Sequence, residues 1–147
     1  MRPLGIFEDY IKTGIVVIQV KNESRCRDLV EESQRKFKSF QNTLNKIGLS
    51  NENANDAIEF CYDIIIYLIR AKMISLGFNS SGTGAHEAEV SYLRELKFSE
   101  NEVQFMNNLR YFRNGIMYYG KRFEAYYAKQ VIAFMNNMRN KLLKLLA

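Results

Sequence analysis

From about Asn53 to Leu76 the chain carries Ile58, Phe60, Cys61, Ile64, Ile65, Ile66, Leu68, Ile69, Met73 and Ile74, which leave a helix of that length almost no polar face. The β-branched run alone would suit a strand, but the length of the segment and the stop at Gly77 predict a helix. A helix that is apolar nearly all round belongs in the middle of a bundle, with other helices packed around it. That requirement predicts an all-α fold, a single up-down bundle of five to six helices by the segments that follow. The 147 residues suffice to bury one core, so 1–147 is expected to form one domain. The polar exceptions on the central helix, Asp56, Glu59, Asp63 and Arg70, share one narrow stripe, and charges placed there need partners.

The flanking segments supply the rest of the bundle. Residues 4–13 read as a short helix stopped by Gly14. Ile15 to Val20, IVVIQV, is extended in propensity but too isolated to build a sheet. It is expected as a strand-like arm or as an apolar segment laid on a partner, so that 1–21 is a short helix plus arm and 22–147 the bundle. Asn22 or Ser24 caps a second helix, whose Cys26, Val30, Phe37, Phe40, Leu44 and Ile47 recur at helical spacing until Gly48. After the central helix comes FNSSGTGAH. Its Gly82 and Gly84 indicate turn chemistry rather than a phosphate cradle, since no strand is expected before them and no Lys-Ser/Thr follows. Thr83 is expected to cap a helix through Val90, Tyr92, Leu93 and Leu96, and Ser99-Glu100-Asn101-Glu102 forms a capping box for the next. A last helix from about Glu124 is expected to bury Tyr127, Val131, Phe134, Met138, Leu142 and Leu145.

Composition narrows the functional classes. No apolar run approaches the roughly 18–20 residues of a membrane span. Glu8 and Asp9 fall where a signal peptide would stay apolar, so a cytoplasmic location without a membrane partner is expected. Cys26 and Cys61 both lie in helical patterns and are expected to be buried thiols. There is no Cys-x-x-Cys, and His86 is the only histidine; neither a metal nor another cofactor is expected. The net charge is +5, and the segment from Lys121 onward holds six lysines and arginines against Glu124 alone. Such a segment can track phosphates, or serve simply as a solvated helix face.

The stretch from Leu109 to Phe123, LRYFRNGIMYYGKRF, sets arginines, an asparagine and aromatics on the helix that Ser99 opens. At about 100° per residue, Phe105, Leu109, Phe112, Ile116, Tyr119 and Phe123 form a core-facing stripe, with Arg113 at its edge. Arg110, Asn114, Met117, Tyr118 and Lys121 fan around the far side. Arg113 and Tyr118 then point about 140° apart and should not readily touch within one chain. A second copy of the helix lying opposite would bring both into one cleft, which predicts a homodimer with a shared site. The alternative is structural: Arg113 and Asn114 pair with Asp63 or Glu59 of the central helix.

A long amphipathic helix, a very apolar second helix, then Arg-Asn on an aromatic-rich helix resembles the HEPN superfamily, nearest its archaeal branch. The resemblance covers roughly residues 23–146. It implies a small, often dimeric all-α bundle. Active members are metal-independent RNases marked by an arginine, often with a polar neighbour, and four to six residues later a histidine. Arg113 matches the arginine, Asn114 its neighbour, and Tyr118 stands at the histidine position. In the family the two motifs meet across the dimer and cleave RNA through its 2′-hydroxyl. Histidine exchanges a proton near neutral pH, whereas tyrosine, with an ordinary pKa of about 10, is a poor base. The resemblance therefore implies an RNA-associated protein, a weak or degenerate RNase of a toxin–antitoxin or defence system. Arg110, Arg113, Asn114 and Lys121 would grip phosphate while Tyr118 or Tyr119 assists or stacks. The alternative it implies is a non-catalytic dimeric module that holds a small nucleotidyltransferase, an antitoxin or another protein. His86, in the first turn of its helix beside Glu87, is expected to be a local structural residue.

Overall fold

The computed structural model describes residues 2–147, and among them six helices and two short strands follow one another along the chain. They are α1 (Phe7–Lys12), β1 (Val16–Ile18), α2 (Glu23–Ile47), α3 (Ala54–Ser75), β2 (Phe78–Ser80), α4 (Ala85–Glu95), α5 (Glu100–Tyr119) and α6 (Ala125–Leu146). The bundle is built around α3, which meets α2, α4, α5 and α6. Its Ile58, Ile64, Ile65, Ile66, Leu68 and Ile69 are buried, as the all-round apolar pattern requires. Each such side chain contributes roughly 1.5–3 kcal/mol of transfer free energy, so α3 is the main source of stability. No helix among the described residues is long and apolar enough to cross a membrane.

Polar contacts fix how the neighbours sit on α3. Buried Ser33 of α2 donates to the Ile64 carbonyl at 2.8 Å. Glu89 of α4, its side chain only 1% exposed, pairs with Arg70 of α3 and accepts from the Ser80 hydroxyl of β2 at 3.0 Å. The charge on Arg70 thus has the partner that its place on the apolar helix demands. Asn22 caps α2 by accepting from the Arg25 amide, and Ser99 with Glu102 closes a full capping box on α5.

Several expectations are corrected. Ile15–Val20 does build a sheet: β1 pairs antiparallel with β2, Val16 opposite Ser80 and Ile18 opposite Phe78. The partner strand lies just beyond α3, a long-range pairing that local propensity cannot reveal. Gly77 makes it possible, with φ of +89° and a Cβ position only 2.6 Å from the Gln19 carbonyl oxygen. Val16 is buried while Ile18 and Val20 stay exposed. Thr83 does not cap α4; Gly84 takes the N-cap position in the left-handed region, and no side chain caps the helix. Cys61 is buried but Cys26 only half-buried, because α2 is covered on one side alone. For the same reason Ile47 of α2 is 71% exposed, and Leu145, near the end of α6, is exposed too. Tyr119, assigned to the core stripe, is 87% exposed, since α5 ends there in the left-handed Gly120 cap, beyond the core.

Candidate functional site

The capping box at Ser99 sets the start of α5, and its later turns carry Arg110, Arg113, Asn114 and Tyr118 along one wall of a cleft of about 420 Å3. The opposite wall is the Gly82–Glu87 turn into α4. Gly84, at φ +91°, makes the reversal that brings His86 to this wall. Because α4 has no side-chain cap, the positive end of its backbone dipole lies at the cleft. Arg2 closes one end, held by Glu87 at 3.1 Å.

The charged groups are loosely tied. Arg113 approaches Asp63 at 3.5 Å, and Asp63 also has Lys36 at 3.7 Å. The Arg113 Nε is buried with no hydrogen-bond partner. Arg110 lies 3.5 Å from Glu87 and donates to Asn107 at 3.1 Å. Glu87 is shared further, accepting from the Tyr10 hydroxyl at 3.0 Å. Three arginines therefore face one carboxylate in the lining, an excess of positive charge suited to an anion.

His86 is anchored by Tyr62 of α3. The Tyr62 hydroxyl and His86 Nδ1 are 2.9 Å apart, and the rings lie nearly parallel, 12° between planes. The Arg113 guanidinium sits 5.3 Å from the same Tyr62 ring centre. Burial raises the Tyr62 pKa far above its ordinary value, so its hydroxyl keeps its proton. Burial lowers the His86 pKa, with Arg70 and Arg113 adding to the effect against Glu89 and Asp63. The lowered pKa favours the neutral imidazole at pH 7. Where Nδ1–H donates to the Tyr62 oxygen, Nε2 has a free lone pair; where the Tyr62 hydroxyl donates to Nδ1, Nε2 carries the hydrogen and donates.

The sequence-predicted residues divide between two adjoining clefts. Arg110, Arg113, Asn114 and Tyr118 share the first with His86. Lys121 and Tyr119 line a second of about 480 Å3 with Tyr111 and Phe112, and Asn114 and Tyr118 border both. Arg113 and Tyr118 thus line one cleft of a single chain, with no hydrogen bond or cation–π contact between them among the described residues. The structural alternative holds for Arg113 with Asp63, whereas Glu59 makes no ion pair with it among the described residues. His86 has a structural partner in Tyr62 and also lines the cleft; a sole histidine just after a Gly-x-Gly turn is its only sequence signal. Arg2, Tyr62 and Glu87 carried no sequence signal at all. Compared with known protein families, with curated proteins and with solved structures, the chain matches none of them.

Proposed function

We propose that the chain is a HEPN-like, RNA-associated protein that holds a backbone phosphate in the cleft between α5 and the start of α4. The observation that carries this reading is the convergence of Arg2, Arg110 and Arg113 with neutral His86 on one polar cleft. Arginine forks suit phosphate oxygens, and the uncapped α4 start adds backbone donors. With a ribose 2′-hydroxyl beside the held phosphate, His86 in the tautomer whose Nδ1–H donates to the Tyr62 oxygen accepts the hydroxyl proton at Nε2. The 2′-oxygen bonds to phosphorus, the bond from phosphorus to the 5′-oxygen breaks, and that oxygen takes a proton back from the imidazolium. The cleft arginines balance the charge gathered on phosphate in the transition state. Tyr118 is 74% exposed in the cleft lining, and in this reading it contacts the strand while His86 is the base.

The test is binding and cleavage of a labelled single-stranded RNA, read for the wild type beside Arg113→Ala, His86→Asn and Tyr118→His. Binding should weaken steeply with salt and fall about tenfold or more in a variant that pairs Arg110→Glu with Lys121→Glu. Slow cleavage should disappear in Arg113→Ala and His86→Asn and persist in Tyr118→His, where a large gain would instead assign the base to position 118. Salt-independent binding would overturn the phosphate reading. Binding without cleavage in every folded variant would leave an RNA-binding protein and remove the nuclease.

A further inference from the structure

On the other side of Asp63, away from the arginine cleft, α2 and α3 leave a groove of about 270 Å3 that the RNA reading does not use. Its floor is apolar, formed by Phe40, Leu44, Ala57 and Phe60, with the two phenylalanine rings stacked at 5.8 Å. Ile47 extends that surface outward onto the lip, where it is freely exposed. Three carboxylates, Asp56, Glu59 and Asp63, line the α3 side against Lys36 alone. Asp63 is matched by Lys36 and Arg113. Asp56 and Glu59 have no ion-pair partner among the described residues.

We propose that this α2–α3 groove docks a basic amphipathic helix of a protein partner, one that lays an apolar stripe on Leu44, Ile47 and the half-buried Phe60 and sets two cations one turn apart against Asp56 and Glu59. Charge decides the class of occupant. The molecule as a whole is positive, so this acidic strip stands out against its own surroundings. Nucleic acid is repelled by it. A neutral apolar occupant would strip water from two carboxylates and give nothing back. Burial already raises the Glu59 pKa, with Asp56 and Asp63 adding to it against Arg113, so this carboxylate gains from a positive neighbour.

Shape favours a helix over a small amine. The lining runs from Lys36 to Ile47 on α2 and from Asn53 to Asp63 on α3, a length of ~15 Å at 1.5 Å per residue. That matches two to three turns of a docked helix, which reads such grooves through residues three and four apart. Asp56 and Glu59 are themselves three apart on α3, so they face a pair of cations with the same spacing. A free amine would neutralise one carboxylate and leave the Ile47 lip in water.

The probe is a fluorescent helical peptide of leucine and lysine with one apolar stripe, set beside the same peptide with glutamate in place of lysine. Binding to the full chain is followed by anisotropy. The lysine peptide should bind and the glutamate peptide should bind elsewhere or not at all. The double variant Asp56→Asn, Glu59→Gln should weaken the lysine peptide about tenfold, and Ile47→Asn should weaken it separately. Arg110→Gln, in the other cleft, should leave it unchanged. Circular dichroism confirms that each surface variant is folded. Equal binding to wild type and the double variant overturns the proposal. So does light scattering in which the double variant dissociates a dimer formed by the wild type, since the occupant would then be a second copy.

Discussion

His86 concentrates the chemistry that one residue adds to this fold. Its folded pKa lies below the ordinary value of about 6.5 because burial disfavours the cation. The unfolded chain therefore binds the proton first as pH falls. Stability from this group is present above about pH 6.5 and is lost as pH drops toward the folded pKa. Thermal melts between pH 7.5 and 5 should show the wild type losing more stability on acidification than His86→Gln; parallel curves would mean the imidazole is not held neutral. The same protonation adds a charge to the cleft, so RNA affinity should rise on acidification in the wild type and stay flatter in the variant. Glu89 marks the opposite case, a buried charge with a purely structural task. Glu89→Ala leaves Arg70 unpaired beside the core and should cost about 3–5 kcal/mol by denaturant melts.

At the scale of elements, what could be read in the sequence was local. The all-round apolarity of α3, the Ser99 capping box, the Asn22 cap and the Gly48 stop each rest on residues within a few positions of one another, and each appears in the fold. The β1–β2 pairing was illegible because its halves are separated by two helices. Thr83 misled because Gly84 reaches a left-handed turn at little steric cost and starts α4 two residues after it. Half of the cleft was legible as well: Arg110, Arg113, Asn114 and Tyr118 lie on one helix, whereas His86 and Tyr62 join them only through α4 and α3. Gly77 offers a direct test of the strand pairing. An alanine there needs a left-handed φ and sets its Cβ 2.6 Å from the Gln19 carbonyl, so Gly77→Ala should destabilise by about 1–3 kcal/mol. Wild-type stability in that variant would mean the arm does not pair as described.

For the whole molecule, the exposed side chains at the end of α5 bear on assembly. Tyr111, Met117, Tyr118 and Tyr119 are exposed together there, with Tyr126 exposed on α6. A dimer built on this surface would set two copies of the arginine cleft near one another. Light scattering at roughly tens of micromolar should return twice the 17.2 kDa chain mass; a monomer would remove the shared site while leaving the single-chain cleft intact. The pairing of the N-terminal arm has a consequence in time. Neighbouring helices in this chain join through short turns, but Val16 and Ser80 must find each other across the intervening α2 and α3. Such a distant closure comes late in folding, and a three-residue strand with an exposed outer face gives way early in local opening. The Ser81 amide donates to the Ile15 carbonyl at 3.1 Å, immediately before the turn that carries His86. The last segment to lock is thus the brace of the cleft wall. Deuterium exchange should find the amides of Gln19 and Ser81 opening as one unit, and a ligand that fills the cleft should slow both together.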